Sequence, residues 1–175
     1  MKKKNFPRPL IKFIRRLKFK TIDLFLFSNE EKIPISPIPL QYTLRVIDTN
    51  EKTGIKKIDK RKKKGNICYA VFDDEKLVHI SWIFKNHLFA RQLGFKHALT
   101  IGRCATIESY RGQGIYPAVL SIIQKNYINT QLIIFVRVSN MSSIRGIMKA
   151  GFQKMLRFKI LRLFGLELAI KCRHL

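Results

Sequence analysis

Cys104-Ala105-Thr106-Ile107-Glu108-Ser109-Tyr110-Arg111-Gly112-Gln113-Gly114-Ile115-Tyr116-Pro117-Ala118-Val119-Leu120 passes from strand-forming residues through a glycine-bearing turn into an apolar, helix-compatible run. Pro117 falls in the first turn of that helix, where its missing N–H costs no intrahelical bond. A strand that turns directly into a helix gathers successive backbone N–H groups at the positive end of the helix dipole, an arrangement that binds phosphate oxygens. Gly112 and Gly114 keep side chains away from the approach to the backbone, and Arg111 adds charge at the rim.

Outward from this stretch, residues Ala98 to Ile107 read as the strand and about Gly112 to Asn126 as the helix. Gln131 to Val138 is an unbroken apolar run and hence a buried strand, followed by a short helix from Met141 to about Ala150 that Gly151 stops. Two strand-like segments, Phe152 to Leu161 and Leu166 to Lys171, close the chain. Upstream, Ile67 to Phe72 and Leu77 to Phe84 form a hairpin about Asp73-Asp74-Glu75-Lys76, and Tyr42 to Ile47 is a further strand. Thr49 is placed to cap a basic helix that runs to about Lys64 and ends at Gly65. Lys85 to Lys96 shows little periodicity. Thr21 to Phe27 alternates too little to place, and Pro34, Pro37 and Pro39 favour an extended linker. Two regions follow: a basic N-terminal segment with its proline-rich linker over 1–39, and one domain over 40–175. The domain is expected to be α/β or α+β, with helices on the faces of a sheet.

Within Met1 to Lys20 there are nine basic residues and no acidic ones, with Leu10, Ile11, Phe13, Ile14 and Leu17 at near-helical spacing. This pattern suits a helix lying on an anionic membrane face or one docked on the domain, and spacing does not separate the two. Lys12, Arg15, Arg16 and Lys18 interrupt the apolar residues, so neither a membrane span nor a signal peptide is expected. The chain's 175 residues, 46% of them hydrophobic, support one sizeable core. Cys68, Cys104 and Cys172 are odd in number and lack metal-ligand spacing, so no metal or disulfide framework is expected, and a reducing, cytoplasmic setting fits. A formal charge of +24 predicts anionic partners. Charge does not choose among nucleic acid, an anionic membrane and a polyphosphate-bearing substrate; no zinc finger or other nucleic-acid module is recognisable, which disfavours the first.

The loop stretch resembles the acyl-CoA-binding motif of the GNAT acetyltransferases: Arg or Gln, two residues, Gly, one residue, then Gly or Ala. Arg111 and Gly114 match, while Tyr116 replaces the final small residue. Asn140-Met141-Ser142-Ser143-Ile144-Arg145-Gly146-Ile147-Met148-Lys149-Ala150-Gly151-Phe152 resembles the family's second signature, through Asn140, Ser143, Lys149, Gly151 and Phe152. The resemblance implies a mixed central sheet of about six to seven strands, splayed between its fourth and fifth strands and flanked by helices. It implies acetyl-CoA as cosubstrate, held by Cys104, Ala105, Thr106, Arg111, Gly112, Gln113, Gly114, Ile115, Tyr116, Asn140 and Ser143. Asn140 equally suits a cap for the helix it precedes. Many relatives carry a Tyr acid seven residues after that Asn; here the position is Ile147.

Transfer to an amine needs a group that takes up the amine's proton and a stabilised oxyanion. Glu108 beside the loop and His79, on one side of its strand with Ser81, are the candidate catalytic residues, with His87 and His97 behind them. Tyr110-Arg111-Gly112-Gln113-Gly114-Ile115-Tyr116-Pro117, with Ser143-Ile144-Arg145-Gly146-Ile147, is similar to GNAT members associated with bacterial surface-polysaccharide or glycolipid pathways. That likeness implies an amino-sugar acceptor, nucleotide- or lipid-linked, and an enzyme in the cytoplasm or on the inner membrane face. A protein or small-amine acceptor is the alternative, and a basic nucleic-acid-binding protein on a degenerate GNAT scaffold is the alternative of another class.

Overall fold

The computed structural model describes residues 20–29, 37–48, 53–59, 66–163 and 166–172. Eight strands form one sheet: β1 (Lys20–Asn29), β2 (Tyr42–Asp48), β3 (Ile67–Asp73), β4 (Lys76–Phe84), β5 (Leu99–Thr106), β6 (Leu132–Arg137), β7 (Phe152–Leu163) and β8 (Leu166–Lys171), in the spatial order β2-β3-β4-β5-β6-β1-β7-β8. Among the described residues four helices accompany them: α1 (Lys56–Asp59), α2 (Leu88–Gln92), α3 (Ile115–Asn126) and α4 (Met141–Lys149). The pairings are antiparallel except β5 with β6, which is parallel. A parallel pair needs a long crossover, and α3 supplies it.

Both faces of the sheet are covered. Tyr69 and Val71 of β3 point into a cluster with Ile115, Val119, Leu120 and Ile123 of α3 and Ile144 and Ile147 of α4. The alternate residues Cys68, Ala70 and Phe72 join Ile80, Trp82 and Ile58 of α1 on the other face. Farther along that second face, Leu24, Leu26, Ile133, Phe158 and Ile160 pack against Ala90 of α2. The α2 segment also protects the edge strand β8. Gln92 Nε2 donates to Glu167 O at 3.0 Å, and Ala169 N donates to Gln92 Oε1 at 2.9 Å, so a side-chain amide satisfies backbone groups an edge leaves open.

Several expectations change. The sheet takes in Lys20–Asn29, ahead of the boundary expected near Leu40, and places it between β6 and β7. Leu24 and Leu26 face one core cluster and Phe27 the other, so a strand buried on both faces shows no polar alternation to read. Eight strands therefore stand where six to seven were expected. Of the helix proposed from Thr49 to Lys64, the described part is Lys56–Asp59; Thr53 to Ile55 are not helical, and 49–52 and 60–65 lie outside the described residues. Thr53 instead donates its hydroxyl to Asp59 Oδ1 at 2.8 Å. The N-terminal amphipathic segment lies outside the described residues apart from Lys20, the first residue of β1.

The splay expected in the middle of the sheet is present. β5 and β6 pair only over Leu99, Thr100 and Ile101 against Leu132, Ile133 and Ile134, after which β5 runs on to Thr106 beside β4 alone. A bulge in the β4–β5 register between Ile80 and Trp82 coincides with Arg103 at φ 50°, a left-handed conformation rare for a residue with a long side chain.

Candidate functional site

Beyond the point where β5 and β6 part, the opening is closed by the starts of two helices. After Thr106 the chain makes a single 3-10 turn over Glu108–Tyr110, then passes through Gly112 (φ 81°) and Gly114 (φ 78°) into α3. Both glycines need the left-handed region, and a Cβ on either would meet no atom within 4 Å, so they face open space. Gly114 is the N-cap of α3 and makes no side-chain capping bond, and the first turn has no acidic residue. The orphan amides of that turn are therefore available to an anion. The loop is tied down from outside. Tyr110 donates its hydroxyl to Asp73 Oδ2 at 2.7 Å, which holds the phenol's pKa above its usual value, and Tyr42 donates to Gln113 Oε1.

These elements enclose a cavity of about 630 Å³. Of the residues expected to hold a cosubstrate, Cys104, Ala105, Thr106, Arg111, Gly112, Gly114, Ile115, Tyr116, Asn140 and Ser143 all line it, and so does His79. Gln113 does not; its amide donates to Ser109 O at 3.2 Å and it braces the loop from behind. Glu108 is exposed and pairs with Arg111 at 3.4 Å, so it is a surface partner of the loop outside the lining. His97 is exposed, and His87 packs among Phe84, Phe89 and Phe135; neither is in the lining.

Sequence reading assigned no site role to Tyr110, Pro117, Ser142, Arg145, Gly146 and Lys149, which also line the cavity. For the four on α4 the signal was the spacing Ser142, Arg145, Gly146 and Lys149, at i, i+3, i+4 and i+7, which sets them along one side of the helix. The lining contains Arg111, Arg145 and Lys149 and no carboxylate. Asn140 serves as the cap of α4, its Oδ1 accepting from Ser143 N at 3.1 Å, while still facing the cavity.

At the cavity wall, His79 joins two hydroxyl side chains. His79 is buried, with Nδ1 2.7 Å from Thr106 Oγ1 and Nε2 2.8 Å from Ser81 Oγ. Burial lowers its pKa from 6.5 to about 4, so the ring is neutral at pH 7. Burial pushes the pKa of the Cys104 thiol up. Burial also holds the Tyr116 phenol well above its usual pKa. Tyr116 is seated by an absence on the facing helix. A Cβ at Gly146 would lie 2.8 Å from Tyr116 Cδ1, so only glycine leaves room for the ring.

The fold recurs in solved structures. One is a GCN5-related N-acetyltransferase-like protein from Streptococcus suis, with TM-score 0.58 and 10% identity over 89% of this chain and 66% of that one. A putative acetyltransferase of the GNAT family from Novosphingobium aromaticivorans superposes with TM-score 0.59 and 14% identity, over 90% of this chain and 67% of the other. The fold is that of the GNAT acetyltransferases. A GCN5-related N-acetyltransferase from Sphaerobacter thermophilus shares it, with TM-score 0.57 and 13% identity over 95% of this chain and 58% of that one. The chain thus spans about two thirds or less of the length of these GNAT structures. No protein-family model matches the sequence, and no curated protein matches it.

Proposed function

We propose that the protein is an acyl-CoA-dependent N-acyltransferase that moves an acetyl group from acetyl-CoA to a primary amine. The observation that carries this reading is the cavity at the β5–β6 splay. It joins uncapped helix amides, two open glycines, three cations and no carboxylate in one lining. That donor set suits a diphosphate on a long neutral arm. The amides from Gly112 to Tyr116, with Arg111, would hold the phosphates. The backbone of Cys104 to Thr106, freed from β6, would hold the arm, and Asn140 and Ser143 would face it from α4. The cosubstrate supplies an activated acyl carbonyl; the chain supplies position and proton handling. Of the two candidate bases, His79 has access to the cavity and Glu108 has none.

The acceptor we propose is an amino sugar carrying phosphate, nucleotide- or lipid-linked. The +24 formal charge and the cations of the lining favour an anionic acceptor over a neutral one. The N-terminal basic segment would then hold the enzyme against the anionic inner membrane face. Among the described residues no helix is long and apolar enough to cross a membrane. Titration calorimetry with CoA and acetyl-CoA tests the site, and thiol release across a panel of nucleotide-linked amino sugars, polyamines and peptides tests the acceptor. Saturable binding of both thioester and thiol is expected. Absence of binding, with steeply salt-dependent binding to nucleic acid in its place, would overturn the reading.

A further inference from the structure

The cavity lies on the α3 and α4 side of the opening between β5 and β6, and the opposite face of that opening is built from other residues. Ile101 pairs with Ile134, so Gly102 and Phe135 stand at the first step where the two strands part. Phe135 packs with the core cluster on the second face, and Phe84 of β4 belongs to that face as well. The Phe84 ring lies over Gly102, where a Cβ would be 3.4 Å from Cε2. His87 bridges the rings: its centroid is 6.4 Å from Phe84, 5.2 Å from Phe135 and 5.4 Å from Phe89. Each of these side chains is half-buried, so together they show solvent an apolar wall beside the splay. Within it, His87 Nδ1 is buried with no hydrogen-bond partner among the described residues, a polar atom that a ligand hydroxyl among the rings would satisfy. Arg103 stands over this wall, exposed, its guanidinium carbon 5.6 Å from the Phe84 centroid. It is held at φ 50° at the bulge of β5, a conformation that costs stability in any residue with a Cβ. A bulge re-aims a side chain, and one contact with a half-buried ring is a small return for that strain.

We propose that this second face is the acceptor subsite, with Phe84, His87 and Phe135 carrying the C–H face of an amino-sugar ring and Arg103 holding the phosphate on its anomeric carbon. The proposal rests on the acyltransferase reading above and assigns residues to the acceptor. The long arm of the cosubstrate would fill the first face of the opening, and an amine must reach the acyl carbon from a direction that the arm leaves free. The second face offers that direction at the step where β5 and β6 separate. A pyranose suits the wall, since its axial C–H bonds pack on aromatic rings and its hydroxyls supply a partner for His87 Nδ1. A polyamine would meet Arg103 as a like charge, whereas a glycosyl phosphate meets the guanidinium as a bidentate partner. Nucleotide-linked and lipid-linked amino sugars share that glycosyl phosphate, so Arg103 reads the chemistry common to both.

The test is calorimetry on the full chain saturated with CoA, titrated with glucosamine, with glucosamine 1-phosphate and with UDP-glucosamine. Wild type should bind the 1-phosphate at least about 10-fold more tightly than glucosamine. Arg103→Ala should erase that difference while leaving the Kd for glucosamine and for CoA unchanged. Arg103→Gly should lose the same discrimination yet melt at or above the wild-type temperature, because glycine adopts φ 50° without strain. A merely structural arginine would not separate the two readouts. Phe135→Leu should weaken all three probes alike. UDP-glucosamine binding more tightly than the 1-phosphate would fit the subsite with a nucleotide carrier, and equal binding would fit it with a lipid carrier. Binding indifferent to phosphate, an Arg103→Ala protein that still favours the 1-phosphate, or failure of all three probes to bind protein that does bind CoA would overturn the subsite while leaving the acyltransferase reading intact. Loss of CoA affinity in Arg103→Ala would place that side chain on the cosubstrate and overturn the subsite too. Wild-type protein that fails to bind CoA would overturn the acyltransferase reading itself.

Discussion

Tyr116 and Gly146 are one substitution written at two places: a large ring stands where the loop motif has a small residue, and the facing helix gives up its side chain. Alanine at 146 improves helix propensity by about 1 kcal/mol, yet its Cβ would lie 2.8 Å from Tyr116 Cδ1. Overpacking of this kind costs about 1–3 kcal/mol, so Gly146→Ala should destabilise the protein in urea denaturation. In a Tyr116→Ala background the clash is gone, and the same change should stabilise it. A cycle showing no coupling would mean the ring and the notch are independent. His79 sets a second expectation. Its pKa is about 4 in the fold and 6.5 unfolded, so the unfolded chain takes up the proton first as pH falls. The stabilisation is complete above pH 6.5 and drains away toward pH 4, by about 3 kcal/mol in all. Stability of His79→Gln should lack that slope between pH 6.5 and 4; an equal slope in both proteins would place the titration elsewhere.

At the scale of elements, the two helices that face the cavity begin differently. α4 is capped by Asn140, and Asn140→Ala should cost about 1 kcal/mol of stability in addition to any loss of CoA affinity. α3 has no side-chain cap, so Gly114→Val should weaken CoA binding severely and cost little in capping, its effect coming from strain at φ 78° and from bulk in the cavity. Equal CoA affinity in wild type and Gly114→Val, measured by calorimetry, would rule out the loop as the binding element. This part of the molecule was legible in sequence because its glycines, proline and asparagine each occupy a backbone position with few alternatives. α2 was not, since five residues held by Ala90 and the Gln92 bridge to β8 leave no periodicity. Glu108 lies outside the lining because a one-turn 3-10 segment points it outward to Arg111, a direction that sequence proximity to the loop does not give. The polar wall was half legible: Ser81 stands two residues from His79 on one side of β4. Thr106 joins them only through the β4–β5 pairing, which sets it opposite His79 and which no local pattern announces.

For the molecule as a whole, the N-terminal region divides at a place the sequence left blurred, and two truncations separate its parts. Residues Leu24, Leu26, Phe27 and Ser28 of β1 are buried, and the strand pairs with β6 on one side and β7 on the other. Fully burying a Leu or Phe side chain is worth about 1.5–3 kcal/mol, so those three apolar residues contribute about 5–9 kcal/mol. Domains of this size are stable by only about 5–15 kcal/mol in total. A chain beginning at residue 30 would also part β6 from β7 and leave a row of unpaired backbone groups on each. It should be insoluble or show no cooperative melt by circular dichroism. A chain beginning at residue 20 keeps all of β1 and loses eight of the nine basic residues of the N-terminal segment. If that segment serves as a membrane attachment, this shorter truncation should keep the melting temperature and CoA affinity of the full chain and lose salt-sensitive binding to anionic liposomes. Each basic residue near such a surface is worth about 1 kcal/mol, so loss of eight should be unmistakable in a sedimentation assay. A large drop in melting temperature on removing residues 1–19 would instead show that the apolar stripe Leu10, Ile11, Phe13, Ile14 and Leu17 is docked on the domain.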